Sequence, residues 1–408
     1  MELMNQPFTG QLGDRLIELL DSSEYDTLNI AVAFAKNSGV LRIKDALDRF
    51  RERGGKVNAY LGIDLGGTSY EALTVLLLNT DSLNVVHSEK SQTFHSKIYQ
   101  FLGKKSGFVI VGSHNLTGGG LWTNFESSVH ICLNQSCAID AGVSKELSDY
   151  FGALSSLNDG IMPIKSQAEI ERLLQNGYVL KEVTQEVRLA KETGADGAQE
   201  SLFGKGVPAN LPRLKMSEHD QVEAGAGALP KTVSAPQNDE SQTIWFETRK
   251  MTGGSRNILD LSKKSLLERG DPTGTPFDRG EKKFMRGGVE FFGVNPDAVD
   301  QTKNISLNFE GVDYSGNTIL YPDGENKNGT WRLQIKGVSS INEKITDVLR
   351  AKYNEGYLVE KVIAFTKIQD DYYSLSVFPE AEIDSFKEAS IILARNGASR
   401  GARMIGLI

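Results

Sequence analysis

The sequence predicts an α/β sandwich built on a mixed sheet, followed by a connector and then an all-β domain, a small β-barrel or sandwich. Three observations carry that prediction. Apolar, β-branched runs alternate with amphipathic stretches through residues 1–184. Residues 185–241 are rich in Gly, Ala, Pro and Glu and hold no sustained period, as a linker does. From residue 242 to 408 short β-type runs follow one another, most of them separated by turn residues.

A chain of 408 residues fits two domains better than one. Charged residues (24%) and hydrophobic residues (39%) are in the range of soluble globular proteins. No apolar run approaches the about 18–20 residues of a membrane helix. MELMNQPFTGQLGDRLIELL has no basic region ahead of an apolar one, so a secretory leader is not expected. Cys132 and Cys137 are too few for a disulfide framework and read as reduced core residues of a cytoplasmic protein. The net charge of −8 weighs against indiscriminate nucleic-acid binding, although a local basic groove is compatible with it.

In chain order, Leu12, Leu16, Leu19 and Leu20 mark an amphipathic helix over 10–21, and 26–35 reads as a buried strand. A helix over 40–53 stops at Gly54 and Gly55. A strand at 56–63, a helix at 69–78 and strands at 85–87, 93–102, 108–112 and 125–133 complete the first domain. The glycine-rich stretch Gly62-Ile-Asp-Leu-Gly-Gly-Thr68 looks like the phosphate turn of sugar kinases and actin-like ATPases. Here a helix follows directly, so it reads as an ordinary strand-to-helix turn. In the linker, Leu202-Phe203 and Leu211 to Leu214 could dock on a neighbouring domain. In the last domain, strands are expected at 243–246, 284–292, 305–309, 318–321, 330–335, 358–366 and 372–378, with a helix over 341–353.

The chemistry concentrates between Phe94 and Glu126. His95 and Lys97 are two apart, so on a strand they project to one face, and the same holds for Ser113 and Asn115 if the strand persists past Gly112. A histidine titrates near neutral pH and can serve as nucleophile or general acid. Lys97 supplies a fixed cation for a phosphate oxygen. Gly112 lets backbone approach closely. Ser113 and Asn115 can donate to the non-bridging oxygens of a five-coordinate transition state. Glu126 can accept a ring N–H of a histidine and fix its tautomer. His114 points away from Ser113 and Asn115, toward packing or a dimer contact. His87 and His130 read as structural, and His219 lies in the linker.

His95-x-Lys97, Gly112-Ser113-x-Asn115 and Asn124-x-Glu126 together resemble the HKD signature of the phospholipase D superfamily. The aspartate that usually follows the lysine is absent, as it often is in nuclease members. The resemblance implies a phospholipase D-like fold and a phosphohistidine mechanism in which one histidine attacks phosphorus and a second protonates the leaving oxygen. A chain with one motif should then form a homodimer with one shared site. No metal is required in that scheme.

The segments Trp245 to Ser265 and Asn328 to Gly337 resemble the B3-like DNA-binding domain, a seven-stranded open barrel that grips the major groove of double-stranded DNA with two arms. The resemblance puts one arm around Arg249, Lys250, Ser255, Arg256 and Asn257 and the other beyond Arg332, near Lys336 to Lys344. Arg and Asn suit base edges, whereas lysines and hydroxyls more often hold phosphates. Basic and acidic residues balance over 243–408, so positive charge is only local. The domain order resembles metal-independent restriction endonucleases of the BfiI and NgoFVII type. That implies a sequence-specific prokaryotic DNA endonuclease with a companion DNA methyltransferase. No Walker motif occurs, so any use of ATP would come from a helicase-like ATPase subunit. The rival readings are a phospholipase D-type lipid phosphodiesterase or phosphatidyltransferase, and a non-catalytic DNA-binding regulator.

Overall fold

The structure, a computed structural model, describes residues 1–90, 92–193, 206–214, 242–249, 256–322 and 330–408. The chain divides into two compact units: residues 1–182 with 200–214, and 183–199 with 215–408.

In the first unit, strands β1 (Glu2–Gln6), β2 (Thr27–Val32), β3 (Lys56–Gly62), β4 (Ser82–Val86), β5 (Lys97–Leu102), β6 (Ser106–Gly112), β7 (Glu126–Asn134) and β8 (Ile161–Ile164) form one mixed sheet in the order β1-β7-β6-β5-β2-β3-β4-β8. β2, β3 and β4 run parallel, joined by α2 (Asn37–Glu52) and α3 (Tyr70–Asn79), as βαβ units require. The remaining pairings are antiparallel, so the mixed α/β sheet expected from the sequence is present. α1 (Leu12–Asp21) buries the leucine stripe that its spacing announces. Its Asp14 receives a 3.0 Å hydrogen bond from the indole of fully buried Trp122. A Cβ on Gly13 would stand 2.1 Å from that indole, so only glycine lets the helix sit there.

α4 (Ala138–Ser155) packs Phe151 and Leu154 against Ala31, Tyr60 and Val86 on the sheet. α5 (Gln167–Gln175) opens with a Ser166/Glu169 capping box. Leu211, expected to dock on a domain, lies against Gly118 of this unit, and Pro212 O accepts from Arg42 Nε at 3.1 Å. Leu202 and Phe203 lie outside the described residues. Cys132 is exposed and Cys137 half-buried, and both are free thiols, so neither is the core residue expected. Cys132 is paired with Phe108 inside the sheet but lies on an exposed position of β7, and Cys137 lies in the turn that opens α4.

The segment expected as linker begins with helix: α6 runs Glu182–Thr193. Its first residue is held in the first unit, where Glu182 N donates to Glu71 Oε2 at 3.0 Å and Glu182 Oε1 accepts from Ser69 Oγ at 2.8 Å. Burial, and then the neighbouring Glu182 charge, push the Glu71 carboxyl up to about 8. From Val183 onward α6 belongs to the second unit, where Val183 and Val187 are buried beside Trp245 and Phe386. A helical apolar stripe of Val183, Val187 and Ala190 is what seats these residues.

The second unit is built on strands β9 (Thr243–Glu247), β10 (Ile258–Leu261), β11 (Lys264–Arg269), β12 (Phe284–Arg286), β13 (Thr302–Phe309), β14 (Val312–Leu320), β15 (Trp331–Gln334), β16 (Lys361–Gln369), β17 (Tyr372–Pro379), β18 (Ile392–Arg395) and β19 (Met404–Leu407). They make one 11-stranded sheet, more than the seven strands implied by resemblance, and β10 and β12 at its ends do not pair among the described residues. The sheet nevertheless curls, because Asn396 beyond β18 reaches β10, donating to Asp260 O at 2.7 Å and accepting from Ser262 N at 2.9 Å. Alternation feeds two cores: Ile244, Phe246, Ile363 and Phe365 face one, and Trp245, Val362 and Ala364 face the other. The second core is closed by α6 and α8 (Ile383–Ala389), so helices are part of a unit expected to be all β. The helix expected at 341–353 is α7 (Ile345–Tyr353). The strand expected over 284–292 is split, with Gly288–Phe292 forming a 3-10 turn after Gly287. A Cβ on Gly287 would meet Ser262 O at 1.6 Å, and that crowded crossing ends the strand.

Candidate active site

His95 and Lys97 meet, although not for the reason expected. The strand begins only at Lys97, and His95 lies in the irregular segment before it. Contact comes from the lysine folding back: Nζ stands 2.8 Å from His95 Nδ1 and 3.0 Å from Nε2, and donates to His95 O at 3.0 Å. Lys97 is 8% exposed while His95 is exposed, so a buried cation sits behind an accessible imidazole. Burial holds the Lys97 ammonium below the ordinary lysine range, and the Glu126 carboxylate partly opposes this.

The other half of the site forms where β6 ends and β7 begins. Gly112 pairs with Ser128, and Ser113 N donates to Ser127 O at 3.0 Å. Across that end Ser113 Oγ donates to Glu126 Oε2, and Asn124 Nδ2 donates to Glu126 Oε1 at 3.3 Å. Glu126 therefore takes Ser113 and Asn124 rather than a histidine, because the hairpin register brings the serine and carboxylate together. Gly112 is also explained by packing: a Cβ there would lie 2.4 Å from Ser127 O, so it serves strand contact rather than substrate approach.

Asn115 is fixed from the segment that follows β2. Phe34 N donates to Asn115 Oδ1 at 3.1 Å, which leaves the amide its Nδ2 donors to offer an anion. The Phe34 ring stands edge-on to the His95 ring with centroids 6.2 Å apart, so one residue contacts both halves of the site. Nothing in the sequence marked Phe34. Nor did anything mark Gln6, which is buried and donates to Gly119 O, Gly120 O and Asn124 O at 3.1–3.3 Å while accepting from Leu12 N. It fixes the loop that delivers Asn124. Beside Ser113 and Glu126 lies an open groove of about 520 Å³, flanked by Phe8 and Phe125. Those rings are stacked 5.6 Å apart and are 66% and 64% exposed.

The other histidines divide. His114 is buried with Nδ1 2.8 Å from Gly120 O, which makes it a packing residue and not a dimer contact, and burial lowers its pKa. His130 is buried beside Ser128 Oγ at 3.0 Å. His87 pairs with Asp64. His219 lies outside the described residues. Among the described residues no group of three or more His, Cys, Asp or Glu side chains could hold a metal ion, and no helix is long and apolar enough to cross a membrane.

In the second unit, three of the five described residues expected to touch DNA are tied into their own fold. Arg249 donates to Gly401 O at 2.7 Å, and Asn257 Nδ2 donates to Ile335 O at 2.8 Å. Arg332 lies 3.9 Å from Asp260 across the β10–β15 pair. Arg256 is half-buried and Lys336 is exposed. Lys250 and Ser255 lie outside the described residues.

No protein-family model and no curated protein matches the chain. Solved structures similar to part of it include Nuc, a phospholipase D family member from Salmonella typhimurium, at 18% identity and a TM-score of 0.31, covering 40% of this chain and 97% of that one. NucT from Helicobacter pylori follows at 18% identity and 0.27, covering 38% and 93%. Phosphatidylserine synthase from Haemophilus influenzae is similar at 11% identity and 0.30, covering 43% and 44%.

Proposed function

We propose that the chain is a phospholipase D-type phosphodiesterase that cuts DNA without a metal ion, and that it works as a sequence-specific restriction endonuclease. One observation carries the reading: an exposed imidazole backed by a buried ammonium within 3.0 Å, with Asn115 oriented through the same Phe34. A phosphorus approaching a His95 ring nitrogen would bring a non-bridging oxygen to Lys97, and the Asn115 amide could donate to another. The ring nitrogen forms a P–N bond as the P–O bond to the leaving strand breaks, and the leaving oxygen takes a proton. Water then attacks the phosphohistidine, breaks the P–N bond and releases the phosphorylated end.

A single imidazole cannot be nucleophile and acid in the same step, so the His95 of a second copy is proposed as the acid in a homodimer. The 243–408 region is proposed to select the DNA site, with Lys336 an exposed member of the residues assigned to it. A helicase-like ATPase subunit and a companion methyltransferase are proposed partners. Incubation with supercoiled plasmid in excess EDTA tests the central step: cleavage should persist, and its abolition by chelation would end the metal-free mechanism. Light scattering on the same preparation should give a dimer, and an active strict monomer would remove the shared site.

A further inference from the structure

The glycine-rich turn Gly62–Thr68, whose helix start can be explained without any ligand, has a second property: it supports the segment carrying His95. Among the described residues between β4 and β5 none belongs to a strand. Yet the N–H of Phe94, the residue before His95, is given to a side chain: Asp64 Oδ2 accepts it at 3.1 Å. The other oxygen of the same carboxylate, Oδ1, lies 2.8 Å from His87 Nδ1. The Asp64 side chain is 12% exposed and that of His87 26%, so the pair is largely withdrawn from solvent. His87 is fixed in turn, with its N–H on Gly160 O at 3.1 Å and its ring edge-on to Tyr178 at 5.4 Å.

The surrounding residues converge on the same segment. A Cβ on Gly62 would stand 2.9 Å from Phe94 O, so glycine lets the two backbones touch. A Cβ on Gly67 would stand 1.8 Å from the Phe34 ring, the ring that borders His95. Thr68 Oγ1, fully buried, donates to Gly62 O at 2.5 Å and accepts from Ala35 N at 3.1 Å, locking turn to strand. Within the turn Leu65, 91% exposed, holds φ at 55°, a left-handed conformation that leucine seldom adopts.

We infer that Asp64 and His87 form a positioning dyad for His95: the carboxylate clamps the Phe94 N–H and His87 orients the carboxylate. The dyad touches neither substrate nor the reacting atoms. It sets where the imidazole stands relative to Lys97 and Asn115, and a misplacement near 1 Å costs about 100-fold in rate. The inference rests on His95 being the nucleophile.

The experiment measures single-turnover plasmid cleavage, DNA Kd and thermal midpoint for Asp64→Ala, Asp64→Asn, His87→Ala and His87→Gln, with His95→Ala alongside. Hydrolysis of bis(p-nitrophenyl) phosphate serves as a probe independent of sequence recognition. Asp64→Ala should cut about 10–100-fold more slowly with DNA Kd unchanged. Asp64→Asn keeps an acceptor for Phe94 N–H, and His87→Gln keeps a donor for Asp64, so both should recover part of the rate lost in the alanine variants. Should Asp64→Ala fail to fold, the Asn and Gln variants decide the matter. Wild-type cleavage rates in folded Asp64 and His87 variants, or a loss confined to Kd, would overturn the dyad while His95→Ala remained inactive. Cleavage surviving in His95→Ala would instead overturn the reading of His95 itself.

Discussion

The two sets of polar residues singled out by sequence behave in opposite ways. Around His95 the assigned side chains turn toward the site: Lys97 to the imidazole, Ser113 and Asn124 to Glu126, and Asn115 to the backbone of Phe34, whose ring borders His95. In the second unit Arg249, Asn257 and Arg332 turn back to their own backbone or to an acid. A catalytic motif fixes residue types at spacings that the local backbone must satisfy, so the spacing carries geometry. An Arg or Asn in a loop carries no such constraint, and its donors serve a nearby carbonyl as readily as a base edge.

Replacing Lys97 should separate the two regions most sharply. Lys97→Ala removes the cation placed for a phosphate oxygen and should lower the cleavage rate about 100–1,000-fold with DNA affinity little changed. A rate within a few-fold of wild type would remove the lysine from the mechanism. Its burial also makes a pH prediction. A lowered lysine pKa means the charge is present at low pH and lost on the alkaline side below the ordinary value of about 10.4, so activity should fall there. Lys97→Arg keeps its charge through that range, and any activity it retains should lack that alkaline fall. An identical profile in both proteins would contradict the assignment.

In the second unit the expected effects are smaller. Asn257→Ala should destabilise the fold by about 1–3 kcal/mol, since it strips a partner from Ile335 O. Lys336→Ala should leave stability alone and reduce the salt slope of DNA binding by about one. If Asn257→Ala lost sequence preference with no change in melting, the contrast between the two regions would collapse.

The parallel core of the first unit was legible because β2 and β3 are largely buried apolar runs separated by stripes of leucine and isoleucine; of β4 only Val85 and Val86 fall in the strand expected at 85–87. α4 was not: only Ser144, Phe151 and Leu154 of its 18 residues are buried, so it has no stripe to read. β10, β11, β18 and β19 were missed for a related reason. They are short, and Lys264–Arg269 and Ile392–Arg395 mix charge with apolar residues at a curled sheet end. Within the site, His95, Lys97, Ser113, Asn115 and Glu126 were legible from spacing, but their partners were not. Phe34, Gln6, Asp64 and His87 act through contacts across 23 to 118 residues of sequence, which no local pattern encodes.

The proposed mechanism requires a phosphorus–nitrogen bond at His95. Rapid-quench mixing of the protein with an end-labelled DNA duplex, followed by peptide mass spectrometry, tests it directly. The prediction is a transient adduct, labile in acid and stable in alkali, on the peptide containing His95 and absent from His95→Ala. Cleavage that proceeds with no such adduct at any time point, and at an undiminished rate in His95→Ala, would contradict it.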